Sequence, residues 1–431
     1  MAPSAHQASR RLDPTADDAD VPFWPLWLTA FLGYLAIGAT IQVMPDYVRY
    51  QFSGTPFEAG FAVTIGFLAT MLARPVAGRI VDQRGARAVV QFGAVLAAAG
   101  GLGHLLAPNF ASLVVARLLL GAGEGTMFTA SIGWVLASAE AKRRGRIAGR
   151  FGLSMWGGLT GGPILGAVLV RLGGFRAVWI AASVLPALGF LVFCAARHRK
   201  QRIEVRNAGT RAWLPRAAWG PGASYTFAST GYGVVAACLV SRMAALNLPR
   251  NDIALAIFGS AFLTARFLGS PLVDRFGPSI MLTGSLLVEA FGLGGLALAN
   301  STAGSLLMTA VAGSGLAVIY PCYVALVTEA ADASERTTAL GVVISAWDLG
   351  VAVGGPVAGL LAAYNYSVAF IAAAGASIVA VFIHRASNGR GELEKRLRTA
   401  SSSEHSKYLA PEAEVDRLER HHDKPSGRAM S

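Results

Sequence analysis

The sequence contains few charged residues. Asp, Glu, Lys and Arg make up only 14% of its 431 residues, whereas 54% are hydrophobic. A protein folded in water covers its surface with a larger share of charge, so this composition excludes an ordinary soluble domain. Between the charged loops lie apolar stretches of about 20 residues, the length at which a helix crosses about 30 Å of hydrocarbon.

Cysteine is also scarce, and several catalytic signatures are missing. The three cysteines lie in apolar runs without a CxxC spacing, so we expect small buried side chains at Cys194, Cys238 and Cys322. No Gly-x4-Gly-Lys-Ser/Thr loop is present, which argues against direct use of ATP. We find no intramembrane His/Asp cluster, metal-ligand spacing or nucleophile motif, and therefore expect no enzymatic activity, metal or cofactor.

The apolar runs predict twelve transmembrane helices, so the expected fold class is an all-α membrane protein made of two six-helix bundles. The predicted spans begin near Phe23, Glu58, Ala88, Ala111, Gly145, Arg176, Ala217, Asp252, Ser279, Thr302, Thr337 and Ser367. The expected segments are a tail (1–22), a first bundle (23–196), a central loop (197–216), a second bundle (217–384) and a tail (385–431). We expect this last tail to be largely disordered, with a short helix around 392–398.

The net charge of +12 comes mainly from short loops, so we attribute it to membrane orientation and not to nucleic-acid binding. Basic residues cluster after the second, fourth and sixth predicted spans. The excess predicts a multi-pass protein of the plasma (inner) membrane with the central loop and both termini cytoplasmic. The bias is weaker in the second half. No cleavable signal peptide is visible, so we expect the first span to be retained.

An internal repeat relates the two halves. Residues 72–85 align with residues 264–277, 192 positions later, so that Arg74 matches Arg266 and Asp82 matches Asp274. The segment 121–123 matches 313–315 at the same offset, and 162–166 matches 355–359 one residue further on. Because each half has an even number of spans, this is a parallel repeat, which places a substrate path between two bundles.

The loop after the second span resembles the signature loop of the major facilitator superfamily, Gly-x-x-x-Asp-Arg/Lys-x-Gly-Arg/Lys-Arg/Lys. Gln83 and Ala86 replace two of its basic positions. The resemblance implies that Asp82 pairs across the cytoplasmic interface of the halves and stabilises one access state. Small glycines here permit close helix contact and a tight reversal. The candidate gating residues are Gly78, Asp82, Arg84, Gly85 and Arg87, with Asp274 and Gly277 in the second half.

The fourth span carries two charges. The run from Arg117 to Gly123 resembles the superfamily motif Arg-x-x-Gln-Gly-x-Gly, with Leu120 in place of Gln, and Glu124 follows it. A charge near the bilayer centre costs about 2.5–3.5 kcal/mol, so each needs a partner or a task. Arg117 and Glu124 lie on one helix face about 10 Å apart, too far for a direct pair. Alternatively, Arg117 reaches an interface and Glu124 is structural.

The fifth span matches Gly-x8-Gly-x3-Gly-Pro-x2-Gly-Gly except for Ala167. In the major facilitator superfamily this motif marks the antiporter branch, which includes many drug exporters. Its glycines allow close helix approach and its proline bends the helix. Ordinary glycine-rich packing is the alternative. The motif residues are Gly149, Gly158, Gly162, Pro163 and Gly166.

Two further acids lie in apolar spans, Glu289 in the ninth and Asp348 in the eleventh. Because desolvation favours a neutral carboxyl group, such acids can exchange protons during transport. The resemblance places the eleventh span beside the cavity and the ninth outside it, so we favour Asp348. Our hypothesis is that Glu124 and Asp348 carry the proton-coupling step and that Arg117 tunes one of them.

Polar side chains in spans one, seven and ten are candidates for substrate contact, since the resemblance makes the first and seventh spans cavity-lining. Each of them could instead bond to its own helix backbone. They are Tyr34, Gln42, Tyr225, Ser229, Thr230, Tyr232 and Tyr320.

The sequence and the resemblance favour a secondary active transporter, with proton-coupled export of a small organic compound or drug as the first hypothesis. Proton-coupled symport for metabolite uptake is the alternative, and a receptor without transport remains open. We expect a monomer in a lipid bilayer with protons and a small molecule as partners. Few cations face the expected cavity, which argues mildly against highly anionic substrates.

Overall fold

The computed structural model describes residues 22–138, 144–196, 215–331 and 336–388. The chain divides into two compact units, residues 1–381 and 382–431, and the described part of the second, 382–388, is helical. No strand occurs in the described ranges. Most of the predicted N-terminal tail and central loop, and the C-terminal tail from residue 389 with its short helix at 392–398, lie outside them.

The first half contains four separate helices and one long helical stretch. The separate helices are α1 (Phe23–Phe52), α2 (Pro56–Arg84), α3 (Ala86–Leu106) and α4 (Phe110–Ala137). The stretch Arg144–Ala195 leaves helical geometry at Gly173 and Gly174, the latter with a φ of 64°. Its apolar part has 47 residues, about 70 Å of helix and more than two bilayer cores. We therefore treat it as α5 (144–172) and α6 (175–195).

The second half repeats this pattern. Its helices are α7 (Trp219–Ala245), α8 (Ala254–Phe276), α9 (Pro278–Leu298), α10 (Thr302–Ala330, interrupted at residues 317–318), α11 (Arg336–Ala362) and α12 (Tyr366–Asn388). Single turns of 3-10 helix, Arg216–Ala218 and Asn251–Ile253, precede α7 and α8. The described residues hold eleven helices long and apolar enough to cross a membrane. With α5 and α6 counted separately there are twelve, so the predicted fold class is confirmed.

Local sequence explains several helix boundaries. At the start of α2, the Thr55 hydroxyl accepts a hydrogen bond from the Glu58 amide at 3.2 Å, and the Glu58 carboxylate accepts one from the Thr55 amide at 2.7 Å. This reciprocal cap satisfies two amides that would otherwise lack partners. The turns from α2 to α3 and from α8 to α9 are made by Gly85 and Gly277, with φ of 83° and 84°. Only glycine adopts this conformation without strain.

The halves meet closely where α2 begins and α11 ends. A Cβ atom on Gly60 would lie 2.2 Å from the carbonyl oxygen of Gly355, so the two backbones touch. One turn further along α2, the Thr64 hydroxyl donates to the carbonyl of Ala352 at 3.2 Å. At the same end, Arg171 of α5 forms an ion pair with Asp252 before α8. The end opposite the 79–87 loop is therefore closed in this conformation.

Candidate functional site

A buried ion pair joins the two halves. Nε of Arg74 in α2 donates to Oδ2 of Asp348 in α11 at 2.7 Å, and both side chains are at least 90% buried. The two residues are 274 positions apart in the sequence. Removing one partner of such a pair leaves an uncompensated buried charge, which costs several kcal/mol. A change of charge on either partner therefore alters the stability of the contact between α2 and α11.

The two terminal nitrogens of the Arg74 guanidinium make only long polar contacts. Its Nη1 and Nη2 atoms lie 3.5 Å from the hydroxyls of Thr129 and Tyr34, beyond the usual N–H···O range of 2.7–3.2 Å. The guanidinium carbon lies 5.6 Å from the ring centroid of Phe128. The outer edge of Arg74 therefore makes no short hydrogen bond within the part of the chain that the structure describes.

The ion pair borders a central cavity. A neighbouring cavity shares Leu159 with it. Together with Arg74 and Asp348, the first is lined by Tyr34, Phe67, Thr70, Arg117, Met155 and Trp347, among others. The second is lined mainly by aromatic and aliphatic side chains, including Trp156, Tyr232, Phe258 and Phe262.

Aromatic rings continue across the boundary between the halves. Trp156 of α5 lies 4.1 Å from Phe262 of α8 and 5.4 Å from Trp347 of α11, measured between ring centroids. Tyr225 and Tyr232 of α7 each lie 5.5 Å from Trp347. The separations of 5.4 and 5.5 Å are typical of favourable aromatic contacts, and the rings of Trp156 and Phe262 lie closer still. The cavities thus combine an aromatic wall with one charged corner, an arrangement suited to a small organic molecule.

Glu124 lies in the first half close to this corner. It is fully buried, and neither carboxylate oxygen has a hydrogen-bond partner among the described residues. A Cβ atom on Gly33 of α1 would lie 1.9 Å from its Oε2 atom. Glu124 is one turn before Phe128, the ring beneath Arg74. An ionised carboxylate without partners is costly in such a site, and binding of a proton removes that cost.

Arg117 is anchored within the first half. Its guanidinium donates to the carbonyls of Ala62 and Val63 in α2 and to the hydroxyl of Thr40 in α1, at 2.5–2.8 Å. The side chain is 2% exposed, so it does not reach an interface. None of these bonds involves Glu124, as the seven-residue spacing predicted. Arg117 and Arg74 both line the central cavity, which corrects the expectation of few cations there.

The glycine motif of α5 packs against α1. A Cβ atom on Gly158 would lie 2.6 Å from Cβ of Tyr34, and one on Gly162 would lie 2.5 Å from Cα of Gly38. Gly166 meets Ala39 in the same way, and Pro163 is a cavity residue. In contrast, a Cβ on Gly149 would meet nothing within 4 Å among the described atoms. Most of the motif therefore serves helix packing within the first half.

The candidate gating residues lie at the end of the molecule away from the closed contacts. Arg84 and Arg87 are exposed, and the side chains of Asp82 and Asp274 lie outside the description. A Cβ on Gly78 would meet no described atom within 4 Å, so the close helix contact expected there is not made with any described residue in this conformation.

The polar candidates separate into two groups. Tyr34 and Tyr232 line the cavities, Tyr225 contacts Trp347, and Tyr320 lies beneath Arg266 with 5.6 Å between the guanidinium carbon and the ring centroid. The remaining candidates line neither cavity. The hydroxyls of Ser229 and Thr230 donate to carbonyls of their own helix, and the Gln42 carbonyl oxygen is buried without a partner in the described ranges.

Two other results concern residues that the sequence ranked low or missed. Glu289 is buried against Gly231 of α7 and borders neither cavity, in line with the preference for Asp348. Sequence reasoning missed Arg74, Trp156 and Phe262 as site residues. The match of Arg74 to Arg266 in the repeat was a signal for the first. Nothing local distinguished the two aromatic residues from ordinary membrane-facing side chains.

Comparison with known proteins agrees with this architecture. The sequence model of the Major Facilitator Superfamily matches residues 26–246 and 221–409. An uncharacterized MFS-type transporter of Salmonella typhimurium is 29% identical over 380 residues, covering 86% of this chain and 97% of its own. An uncharacterized MFS-type transporter of Pseudomonas aeruginosa is 30% identical, covering 84% of this chain and 92% of its own. The chain belongs to the major facilitator superfamily and is a membrane transporter.

Solved structures support the same fold. A bacterial homolog of the human lysosomal transporter Spinster, in an inward-facing and occupied conformation, matches with a TM-score of 0.72 and 14% identity, covering 85% of this chain and 96% of the other. The nucleoside transporter NupG matches with a TM-score of 0.70 and 13% identity, covering 84% and 99%. At these identities the likeness concerns the fold alone.

Proposed function

We propose that this chain is a proton-coupled secondary transporter that moves a small organic compound through the central cavity by alternating access. The observation that carries the proposal is the Arg74–Asp348 pair, which joins the halves beside the cavity. In a parallel-repeat transporter the halves rock against each other around a central site. A contact that crosses the halves at that site must therefore respond to their movement.

Asp348 is the proposed principal proton-binding group. A proton on its carboxylate removes the negative charge and weakens the attraction to Arg74. Because the partners belong to different halves, the proton changes the free energy of the closed contact between α2 and α11. Glu124 is the proposed second group, since its oxygens have no partner among the described residues. Arg117 contributes a fixed positive charge to the same cavity and is proposed to tune one of these two acids.

The loop motif after α2 is proposed to stabilise the opposite access state, through Asp82 and, more weakly, Asp274. The described contacts between the halves include the packing at Gly60 and the ion pair of Arg171, at the far end from this loop. The proposed orientation places the loop and both termini in the cytoplasm, because the basic loops lie at that end. In that orientation this conformation faces inward. We further propose the inner membrane and a monomer.

Two coupling directions follow from different observations. Export by antiport is favoured by the glycine motif of α5, which retains its spacing and packs tightly on α1. Uptake by symport is favoured by the Arg74–Asp348 pair. A substrate group that takes over Arg74 leaves Asp348 without its cation, and a carboxylate without a partner binds a proton more readily. Substrate and proton would then bind together.

Flux measurements test the proposal and separate the two directions. A substrate is first identified by a panel efflux and uptake assay in cells with and without the gene, repeated with a protonophore. The purified chain is then placed in proteoliposomes containing a pH-sensitive dye. A substrate gradient should drive protons against the substrate in antiport and along with it in symport. Substrate flux without any proton movement, or wild-type proton movement by Asp348→Asn, would contradict proton coupling at this site.

A further inference from the structure

Arginines outnumber acids around the central cavity in the part of the chain that is described. Arg74 and Arg117 line it. Arg266 lies on the face of α8 that carries Phe258 and Phe262, at spacings of four residues. Asp348 is the one acid among the described lining residues, with Glu124 buried nearby. Arginine stays charged in proteins. Among the described lining residues two arginines therefore face one acid, and the lining keeps a net positive charge when Asp348 is ionised.

The surplus arises because the two halves are not equivalent. Arg74 and Arg266 are matched positions, and each lies 5.6 Å from the centroid of a matched ring, Phe128 or Tyr320. The residue that corresponds to Asp348 in the first half, 193 positions earlier, is Met155. Among the described residues, Nη1 of Arg266 donates a 3.2 Å hydrogen bond to the backbone carbonyl of Ala317. Within the described ranges, Arg266 therefore has no carboxylate partner, whereas Arg74 pairs with Asp348.

Arg74 also has a suitable edge for an anion. Its Nε atom is taken by Asp348, whereas Nη1 and Nη2 make only 3.5 Å contacts to hydroxyls among the described residues. Two parallel N–H groups on one edge match the two oxygens of a carboxylate or sulfonate, and such bidentate pairs are strong. Arg74 lines a cavity whose adjoining wall contains Trp156, Trp347 and Phe262.

We infer that the substrate is a small aromatic organic monoanion, whose carboxylate or sulfonate binds the Nη1/Nη2 edge of Arg74 while its ring packs against Trp156 and Trp347. This inference rests on the proposed proton-coupled transport. The anion brings a second negative charge to the guanidinium that already holds Asp348 at Nε, and repulsion between the two acids favours binding of a proton to Asp348. Substrate and proton then travel in the same direction, which selects symport from the two coupling directions.

Binding to the purified full chain in detergent tests the charge preference. The probes are benzoate, benzenesulfonate, benzamide, benzyltrimethylammonium and acetate, and the readout is the shift of the thermal unfolding midpoint with probe concentration. We expect saturable binding of benzoate and benzenesulfonate. Benzamide, the ammonium probe and acetate should bind at least about tenfold more weakly, because each lacks either the charge-assisted bonds or the ring.

Variants assign the anion to Arg74. Arg74→Gln should weaken benzenesulfonate binding about tenfold or more, and Arg74→Lys by less, because lysine keeps the charge but not the paired donors. Arg176→Gln, the same change at an exposed arginine, should leave binding unchanged. A second measurement needs no variant: calorimetry of benzenesulfonate binding in buffers of different ionisation enthalpy should show proton uptake.

Several outcomes would overturn the inference. They are equal or tighter binding of benzamide or benzyltrimethylammonium, no binding of any probe, undiminished binding to a folded Arg74→Gln variant, or no proton uptake with benzenesulfonate. Failure of the underlying proposal looks different. If benzenesulfonate binds at Arg74 and is transported but its flux ignores a pH gradient, proton coupling is wrong. If a pH gradient drives the transport of a cation or a neutral compound, proton coupling stands and the inference of an anionic substrate is wrong.

Discussion

Asp348 and Met155 are matched positions of the two halves, 193 residues apart, and both line the central cavity. The fold thus brings equivalent positions of α5 and α11 to one site and gives them different chemistry. The carboxylate pairs with Arg74, whereas the thioether offers no such partner to Arg266, which has no acid beside it among the described residues. The departure from symmetry at this position gives the central cavity an acid on the α11 side and none on the α5 side.

The buried ion pair should show strong coupling in a double-mutant cycle. Asp348→Asn should lower the free energy of unfolding by about 3–5 kcal/mol, because it leaves the Arg74 guanidinium buried without its counter-charge. Adding Arg74→Gln should recover part of that loss, since the double variant buries no unpaired charge. Denaturant unfolding in detergent measures the four proteins. Additive effects of the two substitutions would contradict a functional pair.

Glu124 should be needed for proton coupling and dispensable for folding. Glu124→Gln keeps the shape of a side chain that has no described partner for its oxygens, so stability should be unchanged or higher. Proton-driven flux in proteoliposomes should fall to the level driven by the substrate gradient alone. Glu289→Gln is the matched control, because Glu289 is equally buried but borders neither cavity. Full proton-driven flux in the Glu124 variant would remove Glu124 from the mechanism.

The α5 glycines should differ sharply in their tolerance of alanine. Gly162→Ala places a methyl group 2.5 Å from Cα of Gly38, so α1 and α5 must separate. Such overpacking costs about 1–3 kcal/mol. Gly149→Ala meets nothing within 4 Å among the described atoms and should be neutral or stabilising by up to about 1 kcal/mol, through helix propensity. Thermal unfolding measures both, and equal destabilisation by the two variants would contradict the packing described.

The Arg171–Asp252 ion pair should favour closure of its end of the transporter. Its two side chains are 69% and 26% exposed, so the expected effect is below about 1 kcal/mol, or about fivefold in the populations of the two states. Reaction of Thr64→Cys with a membrane-impermeant maleimide, in a Cys194→Ser background, reports opening there. Arg171→Asp should speed labelling, and adding Asp252→Arg should slow it again. No rescue by the charge swap would show that the pair has no gating effect.

Much of the fold could be predicted because its determinants are local. Runs of apolar residues set the spans, and the repeat showed that Arg74 and Arg266 occupy equivalent places. The positive φ of Gly85 and Gly277 follows from glycine at a tight reversal in each half. The two spans on either side of Gly173 and Gly174 were also separable, since a continuous helix of that length exceeds the bilayer.

The sequence by itself determined twelve spans, two related halves and a set of charges too costly to be incidental in hydrocarbon. Only the tertiary structure decided which charges meet. Arg117 donates hydrogen bonds to backbone carbonyls, and Glu124 has no hydrogen-bond partner among the described residues. Arg74 pairs with Asp348, which is 274 residues away in the sequence. The rotation and approach of packed helices determine these contacts, because one turn of difference moves a side chain to another face. The site therefore depends on how the two halves pack against each other, whereas the spans of the fold follow from the local sequence of each segment.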